Sequence, residues 1–429
     1  MQRRDIRRRA LGLGEMIRLG FLFGLIYFVQ GVGDPNTGLV AQPDNSLLRR
    51  WGESPKQVAT FGALLALPWC LKPLFGLMSD FVPLGRYRRK SYLILTSLIA
   101  LGGFAALYVA PLPEGREAPL LSWLMLSSVG IIFCDVVVDA LMIETGQPLG
   151  ITGRLQSVQW AAIHTGAILT GITGGFLSEN RLQKPAFLLC AGLMMATFVL
   201  SVFFVEETPR PPKRSWRQSI LKLKEVVPSR AVVVVGLFAF VWSFNPFTQS
   251  VLYMHMTTKL RFSDDFYGKT VSLVAVGSLA ACVAYGFYCR WLPMRRLIHL
   301  SIVGGIVSSW IYWLMHDDVS ASIVSVLSGF AYMTGSMVLV DLAARACPLD
   351  APATLFALFM ALCNLGAAAG TWFGGLVYER GDRMWGAITS FNVLVLIAGG
   401  TTAACWLLVG FLPERLLGVM GEDENGLQP

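Results

Sequence analysis

Two stretches, LQSVQWAAIHTGAILTGITGGFLSE at Leu155–Glu179 and LFALFMALCNLGAAAGTWFGGLVYE at Leu355–Glu379, lie in register at an offset of 200 residues. Leu155 aligns with Leu355, His164 with Asn364, Gly166 with Gly366, Gly174-Gly175 with Gly374-Gly375, and Glu179 with Glu379. Each is a long apolar run of the length that crosses a bilayer as a helix. A repeat at this distance decides architecture before any local reading does.

The match extends outward in both directions. Gly76, Asp80 and Pro83 align with Gly286, Arg290 and Pro293 at an offset of 210, and both loops then turn basic. Asp34-Pro35 corresponds to Asn245-Pro246, and Asp139 to Asp341. The order is that of two parallel halves. Between and around these markers lie twelve apolar stretches, at 17–40, 57–80, 91–111, 119–143, 153–178, 184–205, 231–256, 265–289, 297–316, 319–345, 351–377 and 384–412. The expected fold is an all-α polytopic membrane protein of twelve transmembrane helices in two parallel six-helix pseudo-repeats. That is the arrangement of the major facilitator superfamily. Its organisation reads as a segment 1–16, a bundle 17–205, a linker 206–230, a bundle 231–412 and a tail 413–429.

Composition agrees. Hydrophobic residues make up 54% of the 429, charged residues 14%, and mean hydropathy is +0.58. Soluble domains carry about 25% charged residues. No segment between spans is long enough to bury a core of its own, so a separate catalytic domain is not expected, and neither is an enzyme. With a cytoplasmic N-terminus, 23 of the 35 Lys and Arg fall on the cytoplasmic side and 11 on the other, Lys72 lying within a span. The basic excess marks the cytoplasmic face. It places both termini in the cytoplasm and accounts for the net charge of +8 without nucleic acid; a cell inner membrane is the expected location. The basic runs Arg3–Arg9 and Arg210–Lys224 also suit anionic headgroups. The eight cysteines are scattered, with no CxxC or zinc spacing, so no metal or cofactor is expected. The first apolar run is too long for a signal peptide and ends in no small-residue cleavage site. A monomer binding a small molecule within the lipid bilayer is the expected working form.

The loop Gly76-Leu-Met-Ser-Asp80-Phe-Val-Pro-Leu-Gly85-Arg86-Tyr-Arg88-Arg89-Lys90 resembles the superfamily's gate signature, with Phe81 where an Arg is usual and a longer spacing to the second Gly. A carboxylate at a helix end beside a basic loop can latch two helices in one state and release them in another. Leu67-Pro-Trp-Cys-Leu-Lys72-Pro-Leu-Phe-Gly76, Ser79-Asp80, Pro83 and Tyr87–Tyr92, with Asp135-Val-Val-Val-Asp139-Ala-Leu, Gly153-Arg-Leu-Gln-Ser157 and Trp160, resemble the folate–biopterin transporter family over roughly residues 20–180. Muropeptide permeases share the Lys of the second span and the acidic pair of the fourth. The resemblance implies a secondary transporter of folate- or pteridine-like anions. A permease for muropeptides or another bulky anion is the alternative, and a transporter-like assembly factor or sensor the second.

Charges inside spans are costly and face a cavity or a partner. The candidates are Gln30, Asp34, Lys72, Asp135, Asp139, Asp341 and Arg345, with polar neighbours Trp160, His164, Asn245 and Asn364. Asp135 and Asp139 share one helix face. Lys72 lies at a similar depth, so it is expected to pair with one of them. Asp34, Asp139, Asp341 and His164 are candidate proton sites. No nucleotide-binding loop of the Gly-x4-Gly-Lys-Ser/Thr type is present, which argues for secondary transport.

Overall fold

A computed structural model describes residues 13–53, 55–82, 84–111, 117–207, 229–247, 251–252, 255–256, 260–262, 264–349 and 351–418. The basic cluster Arg3–Arg9, the linker run Arg210–Lys224, Pro83 of the gate signature and the tail after Gly418 lie outside the described residues.

The chain is all-helical: α1 (Leu13–Gly33), α2 (Ala41–Arg50), α3 (Pro55–Cys70), α4 (Lys72–Phe81), α5 (Lys90–Val109), α6 (Glu117–Leu149) and α7 (Thr152–Glu179) come first. They are followed by α8 (Gln183–Phe203), α9 (Arg230–Ser243), α10 (Asp264–Tyr288), α11 (Met294–Trp310), α12 (Asp318–Ala346), α13 (Pro352–Trp385) and α14 (Ala387–Val409). Among the described residues ten helices are long and apolar enough to cross a membrane. The bent pair α3–α4 makes an eleventh span, and the shorter apolar α9 stands at the position of the remaining one. Large apolar side chains point outward, with Phe203, Ile172 and Leu407 exposed by 73%, 70% and 74%. Such surface is tolerated in lipid and not in water.

Three of the twelve expected spans are interrupted, each near a proline. The span at 57–80 bends by 46° between α3 and α4. Pro73 there removes an amide donor and its ring crowds the preceding turn. The first span ends at Gly33 rather than at 40, because Asp34 precedes Pro35 and the residue before proline disfavours the α region. The chain then turns into the short amphipathic α2, which the hydropathy pattern does not reveal. The span at 231–256 ends its α-helix at Ser243, just before Asn245-Pro246. In addition, α13 runs to Trp385, past the expected 377, and stops at Gly386 with φ +82°.

The chain forms two compact units. Unit 1 comprises Met1–Pro148, Val158–Leu223 and Pro348–Ala357; unit 2 comprises Leu149–Ser157, Lys224–Cys347 and Leu358–Pro429. The first turns of α7 therefore group with unit 2, and those of α13 with unit 1. In unit 1 the core runs through Val29, Phe61, Leu65, Phe104, Leu124, Phe187 and Met194. In unit 2, α10 and α12 pack so closely that a Cβ on Gly277 or Gly329 would strike the facing carbonyl of Val326 or Val274. The small-residue seam Gly366, Gly370 and Gly374 of α13 lies against Phe240, Asn245 and Pro246, which is the close packing that small residues permit in lipid. Gly171, in the corresponding motif of α7, faces open space.

Candidate functional site

Lys72 is the first residue of α4, immediately after the proline bend, and the bend carries its side chain into unit 1. Its Nζ lies 2.6 Å from Asp135 Oδ2, with side chains only 8% and 11% exposed. The ammonium also stands 4.3 Å over the Trp69 ring. The expected pairing is thus made with Asp135. With its amide oriented to satisfy both groups, Gln30 donates to Asp135 Oδ1 at 3.1 Å and accepts from the Asp135 amide at 3.3 Å.

Asp139, one turn further along α6, is held differently. Tyr27 donates its hydroxyl to Asp139 Oδ1 at 2.6 Å, and Gln159 Nε2 donates to the same oxygen at 3.1 Å. Both donors are neutral, and among the described residues Asp139 has no salt-bridge partner. Buried ionic groups are stable only when paired or fully hydrogen-bonded; Lys72 neutralises Asp135, and the carboxyl of Asp139 is left to its two neutral donors. Gln159 Oε1 and Trp160 Nε1 are buried with no hydrogen-bond partner in the protein. His164 sits one turn from Trp160, their rings 6.1 Å apart.

Tyr27 and Gln159 escaped the sequence reading, which ranked charges first. Tyr27 precedes Gln30 by three residues and so shares its helix face; that spacing was the available signal.

The other candidates are placed as follows. Asp34 is buried, but its carboxylate accepts from the Asn36 amide at 3.0 Å and the Thr37 hydroxyl at 2.8 Å, capping the turn that ends α1. Asn245 Oδ1 likewise accepts from the Phe247 amide at 2.9 Å. Asn364 is exposed. In unit 2, Asp341 is fully buried and accepts from Thr152 Oγ1 at 2.6 Å, Tyr285 OH at 3.0 Å and Arg345 Nη2 at 3.0 Å.

Asp80 and the basic residues that follow it, expected as a gate, form a dense network within unit 1. Asp80 Oδ1 accepts from Arg88 at 3.0 Å and Arg89 at 2.6 Å. Its Oδ2 accepts from the Thr354 amide at 2.8 Å and hydroxyl at 2.6 Å. Thr354 lies in the first turn of α13, whose amides have no partner inside the helix. A carboxylate there satisfies one of them and complements the helix dipole. Gly76 allows the approach: a Cβ would stand 2.8 Å from the Ala353 carbonyl carbon and oxygen. Arg89 is fully buried and also reaches Ser79 and Glu144, the latter at 2.8 Å. Glu207 accepts from the amides of Arg88, Arg89 and Lys90 at 3.1, 2.9 and 3.0 Å, capping α5. Gly85 makes the turn at φ +71°, and Arg86 is exposed outside the network. Thr354, Glu144 and Glu207 were not anticipated, since each comes from a distant stretch.

The chain is similar to known proteins over most of its length. The sequence profile described as the BT1 family matches residues 39–428. A folate-biopterin transporter of Synechocystis is 31% identical over 420 residues, covering 90% of this chain and 80% of its own. A folate transporter of Plasmodium falciparum is 21% identical over 251 residues, covering 58% and 49% of the two chains. Among solved structures, the E. coli fucose:proton symporter superposes with a TM-score of 0.69 at 12% identity, covering 91% of this chain and 98% of that one. A proton:xylose symporter of the major facilitator superfamily gives 0.65 at 14% identity, covering 94% and 96%.

Proposed function

Because this chain belongs to the BT1 family, and is a multi-pass membrane transporter of the major facilitator fold, we propose that its cargo is a folate- or pteridine-like anionic heterocycle. The observation that carries this reading is the buried cluster of Lys72, Asp135 and Asp139. A pterin's amino-pyrimidine edge presents adjacent N–H donors, which a carboxylate accepts in bidentate fashion. The buried Trp160 N–H and Gln159 carbonyl, both without a protein partner, suit the ring's remaining acceptor and donor atoms. A cation balances the negative tail of a folate, and Lys72 is the one in this cluster. The names of the similar proteins from Synechocystis and Plasmodium support the same substrate class.

Transport then proceeds by alternating access of the two six-helix bundles, 17–205 and 231–412, in a bacterial inner membrane with both termini on its cytoplasmic side. Asp80, Arg88 and Arg89 latch the gate in one state. Asp139, bonded only to neutral donors, carries the coupling proton.

The test is uptake of labelled folate, biopterin and muropeptide into deficient cells, with and without an uncoupler. The proposal expects folate or biopterin uptake that collapses with the proton gradient and is lost in Asp139→Asn. Uptake of muropeptide alone replaces the substrate class, and uptake indifferent to the uncoupler removes proton symport. Uptake of none of the three, with loss of a membrane complex on deletion, turns the reading to an assembly factor.

A further inference from the structure

Unit 2 contains a polar cavity of about 170 Å³ where the start of α7 meets the ends of α10 and α12. Gly150, Gly153, Arg154, Arg290, Asp341 and Arg345 line it. Its size already separates it from the cargo site, since pockets for drug-sized molecules occupy roughly 300–1,000 Å³.

The charge balance of the lining is positive. Three guanidinium groups face one carboxylate, and that carboxylate is saturated by Thr152, Tyr285 and Arg345. The Arg345 side chain is only 8% exposed. It gives Nη2 to Asp341 and Nη1 to the Gly418 carbonyl at 3.0 Å, while its Nε is buried with no hydrogen-bond partner. A buried guanidinium donor left unsatisfied is costly.

The backbone adds to the same field. Gly150 takes φ +67°, which ends α6 and starts the 28-residue α7 at the cavity. The amides of Arg154 and Leu155 both donate to the Ile151 carbonyl at 3.1 Å; Gly153, one residue earlier, lines the cavity. A Cβ on Gly153 would stand 3.0 Å from Asp341 Oδ2 and 3.2 Å from Cys289 Sγ, so glycine lets the positive end of α7 sit there. A helix N-terminus with convergent arginines is the arrangement that binds tetrahedral oxyanions.

We propose that this cavity is a binding site for a phosphate group, distinct from the transported substrate. The group comes either from inorganic phosphate or from a phospholipid headgroup. Arg290 and Arg154 supply planar donors, the start of α7 supplies the dipole, and Arg345 Nε supplies a donor otherwise unsatisfied.

The experiment uses the full chain, purified and delipidated in a neutral detergent, with thermal unfolding followed by tryptophan fluorescence. Sodium phosphate, didecanoyl phosphatidylglycerol, glutamate and chloride are titrated at matched ionic strength. The proposal expects saturable stabilisation by phosphate or by phosphatidylglycerol, and none by chloride or glutamate. Whichever of the two acts at the lower concentration identifies the source. In Arg290→Gln the half-saturating concentration rises about tenfold, as loss of one charge-assisted hydrogen bond predicts. Arg290 is exposed and stacks 4.3 Å over Trp291, so the variant retains the fold; Arg154→Gln serves as the second. Equal stabilisation by all four solutes overturns the proposal. So does a phosphate effect undiminished in both variants.

Discussion

Lys72 Nζ and Asp135 Oδ2 stand 2.6 Å apart inside unit 1, the lysine delivered by a proline bend and the carboxylate by the 33-residue α6. Burial makes the two charges interdependent. Removing one leaves the other without a counter-charge, at a cost of about 3–5 kcal/mol. Lys72→Met is therefore expected to lower stability by about that amount and to abolish uptake. The double variant Lys72→Met/Asp135→Leu recovers most of the stability but none of the transport. Denaturation of the purified variants in detergent, alongside the uptake assay, separates the two effects. A double variant no more stable than the single one shows that packing rather than charge is at stake.

The bond from the Thr354 amide to Asp80 gives a prediction at single-residue scale. That amide sits in the first turn of α13 and has no helical acceptor, so its exchange with deuterium reports directly on Asp80. A hydrogen bond to a charged group is worth about 1.5–3 kcal/mol. In Asp80→Ala the Thr354 amide is expected to exchange at least about tenfold faster. Gly76→Val produces the same acceleration without touching the carboxylate, because its side chain drives α4 away from the Ala353 backbone. Unchanged exchange in both variants means that water or another group satisfies the amide.

Helix order, the two-fold repeat and the Lys72 pairing were legible because they are written in periodicities and in the high cost of buried charge. Period and length locate a span whatever it packs against. The bends were less legible. Pro73 and Pro246 were visible, but whether a proline kinks a helix or ends it depends on what replaces the lost hydrogen bond. The short α2 was hidden because it is polar, and hydropathy reports only helices that lipid surrounds. The partners of Asp80 and Asp139 were hidden for another reason. Thr354, Glu144, Tyr27 and Gln159 are ordinary residues in their own helices, and only the packing of distant stretches gives them a role. Asp34 shows the opposite case: a buried carboxylate beside a proline draws attention, yet its hydrogen bonds cap a turn.

Asp44 supplies a test by pH. It lies on α2, outside the spanning helices, and is 3% exposed with neither carboxyl oxygen hydrogen-bonded. The helix packs through Leu48, and the chain just before it through Val40, into the apolar core shared with Cys190 and Met194. Burial therefore pushes the Asp44 carboxyl well above its ordinary value. In the unfolded chain an aspartate ionises near about 4, so between that value and the raised one the native state holds the extra proton. Stability is then greatest below the unfolded value and falls as pH rises through the folded one. Asp44→Asn keeps the shape and removes the titration. Its melting midpoint is expected to exceed that of the native chain by several degrees at pH 8, and the gap should close as the pH approaches 4. A gap that stays constant with pH assigns the stabilisation to packing and not to the proton.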